Sequence, residues 1–188
     1  MADHVRRVLL KNIPTWLIGF VASVPAAAAA LQTPGAARRV QVNVPTQPNW
    51  RWCAKCQGLW FNGNSAKGPC PAGGSHEVGR SSNYSLVHDA PVGGAQGNWR
   101  WCQKCQGLWF NGNEAKGVCP AGGTHESAAS SDYVVAQSAS AGGTQENWRW
   151  CQKCQGLWFN GNSAKGRCAA GGAHDATGSS NYRLTQIG

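Results

Sequence analysis

Hydrophobic positions along this chain fall into two regimes. Near the N-terminus an uncharged stretch from Asn12 to Thr33 follows a basic head of Arg6, Arg7 and Lys11. Beyond residue 35 no helical apolar period is sustained, and the apolar residues come instead as short aromatic runs, Trp-Arg-Trp at 50–52 and Leu-Trp-Phe at 59–61. Runs of this length and composition predict strands. They flank Cys-x-x-Cys-Gln-Gly, so the pair reads as a hairpin closed by a cysteine knuckle. Asn62-Gly63, Asn111-Gly112 and Asn160-Gly161 accept positive φ and place a tight turn after the second strand. A third strand is predicted over Asn83–Leu86, with counterparts at Asp132–Val135 and Asn181–Leu184.

Those counterparts exist because the chain repeats itself. Trp50, Trp99 and Trp148 open the same phrase at intervals of 49 residues. Residues 49–68, 98–117 and 147–166 differ in only two of 20 columns, whereas the next 18 columns keep eight and the connecting segments Val87–Gln96 and Ala136–Gln145 agree at four of ten. That gradient marks the first half of each module as the part held fixed. The organisation read from it is a segment 1–31, a linker 32–47, modules at 48–86, 97–135 and 146–186, and linkers at 87–96 and 136–145. Each module is about 38 residues, a size at which a core needs metal, disulfides or association.

Composition agrees with small cores rather than one large sheet or bundle. Of 188 residues, 25 are Gly and nine Pro, and the apolar share leans on ten Trp and nine Cys. The first 31 residues have the basic, apolar and small-residue parts of an export signal, ending in Ala26–Ala30. Within them Arg6-Arg7-Val8-Leu9-Leu10-Lys11 resembles the twin-arginine signal, which implies export from a bacterial cytoplasm to the periplasm, cell envelope or medium. Were the segment not cleaved, Ile13 to Leu31 is nearly long enough to span a bilayer, and it is the one part of the chain that reads as a membrane contact.

Each module offers Cys-x2-Cys-x13-Cys-x5-His: Cys53, Cys56, Cys70 and His76; Cys102, Cys105, Cys119 and His125; Cys151, Cys154, Cys168 and His174. Three thiolates and an imidazole suit a closed tetrahedral Zn²⁺ site, three per chain, and are too soft for Ca²⁺ or Mg²⁺. Four protein ligands leave no position for a catalytic water. Disulfide bonding is the other reading for an exported chain, but three Cys per module leave an odd thiol and no use for the repeated His. Zinc also lowers the charge. The formal +9 falls to +7 once residues 1–30 are removed, and to about +4 when each site carries one Zn²⁺ and three thiolates.

The repeated phrase holds more than a metal needs. A thin hairpin predicts one aromatic face toward solvent, which makes Trp50, Arg51 and Trp60, Trp99, Arg100 and Trp109, and Trp148, Arg149 and Trp158 the candidate ligand-binding residues. Such a surface stacks on sugar rings or on bases; alternatively, Arg braces Trp internally. Lys55, Lys104, Lys153, Gln57, Gln106 and Gln155 are likewise identical, without an evident structural reason. No Ser/His/Asp set, carboxylate pair or phosphate-cradling loop points to an enzyme.

The phrase WRWCxKCQGLWFNGN…KGxCPAGGxH…SSNYxL resembles a Trp- and Cys-rich tandem module of secreted bacterial and some fungal proteins, found beside lectin-like or hydrolase domains. The likeness covers about 140 residues, and the third copy departs at Ala169, where the others have Pro71 and Pro120. More distantly, Trp-x-Cys-x2-Cys is similar to Ran-binding-type zinc fingers that grip single-stranded RNA, but those close with a second Cys-x2-Cys. The expectation is therefore a small all-β, metal-stabilised protein of three tandem zinc-ribbon-like modules; the ten-residue connectors and self-sufficient metal sites favour beads on a string, with a pseudo-threefold, β-trefoil-like unit as the alternative. Its expected role is non-enzymatic and multivalent, with a polysaccharide or cell-wall component as partner. Single-stranded nucleic-acid binding and a structural or metal-buffering envelope role are the other two readings.

Overall fold

The computed structural model describes residues 43–188. The export signal with Arg6 and Arg7, and the linker up to residue 42, lie outside the described residues. Nine strands form in the order the repeat predicts. The first module gives β1 (Thr46–Trp52), β2 (Leu59–Phe61) and β3 (Asn83–His88); the second gives β4 (Ala95–Trp101), β5 (Leu108–Phe110) and β6 (Tyr133–Ala136); the third gives β7 (Gln145–Trp150), β8 (Leu157–Phe159) and β9 (Tyr182–Ile187). There is no α-helix among the described residues, only a 3-10 turn at Ala139–Ala141, and no helix there is long and apolar enough to cross a membrane.

Within a module, β1 and β2 form an antiparallel hairpin with Trp50 opposite Phe61, Arg51 opposite Trp60 and Trp52 opposite Leu59. Alternation then puts Trp50, Trp52, Leu59 and Phe61 on one face and Arg51 and Trp60 on the other. β3 pairs with the other edge of β1 and adds Tyr84 and Leu86 to the first face. The register shifts before Trp50, where Asn49 takes a φ of 72° and its N–H donates to Asn83 Oδ1 at 2.8 Å. Asn98 and Asn147 repeat this bulge, so the invariant Asn is there to turn the following Trp inward.

The three modules pack around a pseudo-threefold axis into a nearly closed, barrel-like sheet. At one end β3, β6 and β9 pair mutually: Val87 with Val134, Ser85 with Thr185, Ala136 with Arg183. At the other end the knuckle glycines bridge the second strands, Trp60 to Gly107, Trp109 to Gly156 and Trp158 to Gly58. Twelve buried side chains make one core, four from each module: Trp50, Leu59, Tyr84 and Leu86; Trp99, Leu108, Tyr133 and Val135; Trp148, Leu157, Tyr182 and Leu184. Of the two packings compatible with the sequence, the molecule has the pseudo-threefold one. Its cause is legible in the size of the parts. Four apolar residues do not enclose a core, so each hairpin borrows its neighbours' aromatics: Trp50 meets Tyr133 edge-on at 5.0 Å between ring centres, Trp99 meets Tyr182 at 5.2 Å and Trp148 meets Tyr84 at 5.3 Å.

The segments read as linkers contribute to this packing. β1, β4 and β7 begin inside them, at Thr46, Ala95 and Gln145. Gln47, Gln96 and Gln145 each accept a hydrogen bond from the tyrosine hydroxyl of the next module around the ring, Tyr133, Tyr182 and Tyr84 respectively.

Candidate metal centres

The knuckle between β1 and β2 starts each centre. The Gln57 N–H donates to Cys53 O at 2.7 Å and the Cys53 N–H to Gly58 O at 3.0 Å, which curls the chain so that Cys53 and Cys56 present both sulfurs to one point. Gln57, Gln106 and Gln155 hold φ near 63°, closing the turn before the glycine. A second knuckle at Cys70, closed by the Gly73 N–H donating to Cys70 O at 2.9 Å, brings in the third sulfur and then His76.

In all three modules the four ligand atoms lie within 4.8 Å of one another. Cys53 Sγ is 3.9 Å from Cys70 Sγ, and Cys56 Sγ is 3.6 Å from His76 Nδ1. The second module has 3.9 and 3.6 Å for the same pairs, and the third 3.8 and 3.6 Å. A tetrahedral ion bonded at about 2.3 Å to sulfur and about 2.0 Å to nitrogen sets its ligands about 3.8 Å (S to S) and about 3.5 Å (S to N) apart. The residues fit. All nine cysteines are unbridged, with sulfur separations far beyond a disulfide bond of about 2.05 Å. The sequence therefore marked three groups of metal-ligand geometry, and the structure assembles each from one module's own chain.

The sites are largely buried. All nine cysteines are at most 5% exposed. His76 stacks on Trp60 with ring centres 5.3 Å apart, and His125 on Trp109 and His174 on Trp158 do the same. Burying several thiols together forces unequal protonation. Hydrogen bonds from Cys56 and Cys70 hold Cys53 far below the ordinary thiol range, and the matching neighbours do so for Cys102 and Cys151. The same contacts to the first thiolate, with burial added, push Cys56, Cys105 and Cys154 well up, and Cys70 also rises. Burial opposes a charge on His125 and His174, but hydrogen bonds to two cysteines each overcome it and raise both to about 9. Packing three thiols together thus disfavours ionising all of them, and a dication is what stabilises three thiolates.

The six tryptophans expected to face a ligand do not. Trp50, Trp60, Trp99, Trp109, Trp148 and Trp158 are at most 1% exposed. The expectation assumed that a thin hairpin cannot bury both faces. Here the common core covers the face with Trp50, and Trp60 packs into the cluster of Cys53, Cys56 and Cys70. The arginines are engaged too: Arg100 pairs with Asp132 at 2.5 Å and donates to Trp99 O at 3.1 Å, and Arg149 donates to Trp148 O and Asn181 Oδ1. Arg51 differs: its Nε is buried without a hydrogen-bond partner.

The repeated glutamines and lysines, identical in the sequence without an evident reason, here have structural partners. Gln57 Oε1 accepts from Trp52 Nε1 at 3.2 Å in its own module and from Asn162 Nδ2 at 2.8 Å in the third, while its backbone carbonyl accepts the Phe159 N–H at 2.8 Å. Gln106 receives Asn64 and Phe61, and Gln155 receives Asn113 and Phe110, so the ring closes. Lys55, Lys104 and Lys153 donate to second-knuckle carbonyls, and the first two pair with Glu77 and Glu126 at 2.9 Å. His174 Nε2 donates at 3.0 Å to Cys56 O, across a module boundary.

No family model, curated protein or solved structure matches this chain.

Proposed function

We propose that each Cys₃His group holds one Zn²⁺, three per chain, and that the chain is an exported, non-enzymatic module binding extracellular or cell-wall carbohydrate at several equivalent sites. The observation that carries the zinc assignment is the ligand spacing, 3.8–3.9 Å between sulfurs and 3.6 Å from sulfur to Nδ1 in all three modules. Borderline-soft ligands in a closed tetrahedron are the structural-zinc arrangement. Bound there, the ion crosslinks the two knuckles and neutralises the thiolates. With all four positions taken by protein, it has none left for substrate, which supports a structural rather than a catalytic role. Burial of eleven of the twelve ligands, with only His174 partly exposed, speaks equally against a metal buffer, which has to exchange its ions.

Carbohydrate is favoured over nucleic acid by where the repeated cations go. Lys55 and Lys104 have carboxylate partners, Arg100 pairs with Asp132, and Lys67, Lys116 and Lys165 each donate to two backbone carbonyls of their own turn. A polyanion needs such charges free. Threefold repetition suits a repetitive target, on which linked weak sites gain avidity of ~10²–10⁴. Export rests on Arg6 and Arg7.

X-ray absorption on purified protein tests the metal: three zinc ions per chain, each with three sulfurs and one nitrogen, are expected, and a folded, zinc-free, disulfide-bonded chain would overturn the assignment. A fusion of residues 1–35 to a reporter tests export. A reporter that stays in the cytoplasm removes it.

A further inference from the structure

With six tryptophans buried, the repeated aromatic still reaching the surface is the one two residues later. Trp52, Trp101 and Trp150 are only partly buried against the core. Each sits at a seam between two modules. Trp52 meets Phe159 of the third module at 6.5 Å between ring centres and 76°, and Trp101 meets Phe61 of the first with the same separation and angle. At the third seam Trp150 and Phe110 occupy the same register positions, partly buried on the same core.

The seam between the third and first modules opens into a cleft of about 150 Å³. That is the liquid volume of about five waters and well below the pockets of about 300–1,000 Å³ that take drug-sized ligands. It has room for one six-membered ring. Trp52 and Phe159 give it an apolar wall, and Ser82 and Asn162 line the polar side. Asn162 donates one N–H to Gln57 Oε1, which fixes the carboxamide and leaves its second N–H and its oxygen. Ser82 Oγ accepts from Gln186 Nε2, which leaves its own proton to donate. Deeper in, Tyr84 is already bonded to Gln145.

The lining is also notable for its charge. No carboxylate lines the cleft, and its one cation, Arg80, stands where the other modules have Ala129 and Gly178. What recurs at every seam is Trp, Phe, Asn and a Ser-Ser pair, a neutral set. An apolar plane beside a held carboxamide and a hydroxyl is complementary to a sugar ring, which has a C–H face and an equatorial edge of groups that both donate and accept. A nucleotide offers a comparable face but brings a phosphate, which the repeated neutral set does not meet and for which Arg80 supplies a cation at one seam alone.

We propose that the three inter-module seams are the ligand sites, each taking one neutral pyranose ring against the edge-to-face Trp and Phe of adjacent modules, with Asn162, Asn64 and Asn113 positioning its hydroxyls. This rests on the reading of the chain as a multivalent carbohydrate binder. Each site is then half-built by each module, and the one at Trp52 exists only because the last module closes onto the first.

The test uses the full zinc-loaded chain on insoluble chitin, cellulose, β-1,3-glucan and peptidoglycan, with elution by the matching soluble sugar. One variant carries Trp52→Ala, Trp101→Ala and Trp150→Ala. A second keeps the tryptophans and fills the clefts with Ser82→Gln, Ser131→Gln and Ser180→Gln, so that loss of binding is separable from loss of fold; zinc content and unfolding temperature are recorded for both. Wild-type retention on at least one matrix that is insensitive to salt, lost in the second variant with three zinc ions retained, is the expected result. Single-seam variants should weaken retention by ~10-fold or more through lost avidity. Retention that survives the filled clefts overturns the seam assignment while leaving the carbohydrate reading standing. No retention on any of the four matrices overturns both, and tight, steeply salt-dependent binding to oligo-dT in their place would assign the aromatics to nucleic acid.

Discussion

Gln57 shows how much one invariant side chain does here. It is 4% exposed, holds a positive φ of 63°, accepts from an indole within its module and from a carboxamide two modules away, and donates back to Ala54 O at 2.9 Å to keep its orientation. A buried amide with its groups satisfied specifies a unique contact in a way that apolar packing does not. The thiols beside it carry the metal chemistry, and their protonation gives a residue-level prediction. At pH 7.5 the raised Cys56 and Cys70 hold protons in the first centre, as do Cys105 with His125 in the second and Cys154 with His174 in the third. Each must lose its proton to become a ligand, so zinc binding releases at least about two protons per site and its apparent affinity rises with pH across the neutral and alkaline range. Calorimetric titration of the reduced, metal-free chain in buffers of different ionisation enthalpy measures the number; release near zero would mean that the thiolates are preformed.

At the scale of elements, the centres and the seams are two uses of one loop. The turn after β2 ends in Gly68, Gly117 or Gly166, where φ is 65–68° and an added Cβ would lie 2.2–2.3 Å from the carbonyl oxygen of a cysteine in the adjacent module's knuckle. Gly166→Ala therefore combines left-handed backbone strain with backbone overlap against Cys56, and should destabilise the zinc-loaded protein by about 3 kcal/mol. Gly171 has a φ of 92° but open space around it, so its Ala variant should show only the backbone part, about 1–2 kcal/mol. Equal losses in denaturant unfolding would mean that the inter-module contact at Gly166 contributes nothing. These elements also show what the sequence made legible. Strands and ligand sets were readable because both are local: the aromatic alternation lies in three residues and the Cys₃His spacing within one module. Partnerships between modules were not, because identical columns report that Gln57 and Gly68 are needed without saying on which copy they act. Gln47 was hidden for a further reason, since in the first copy it precedes the strongest identity and reads as linker.

For the whole molecule, three units too small to fold alone become one core, and the metal centres lie where the units touch. His174 ties the third centre to the first module's knuckle, and each knuckle carbonyl takes a strand N–H from another module. Losing one ion therefore loosens two seams, so the three sites load and empty as a set. Beads on a string would lose them one at a time. Native mass spectrometry of the full chain under sub-stoichiometric chelator distinguishes the two most directly. The account predicts that the population divides between folded chains with three zinc ions and unfolded, highly charged chains with none, with one- and two-zinc species scarce throughout. A stepwise series in which one- and two-zinc chains accumulate in the folded charge envelope would contradict it.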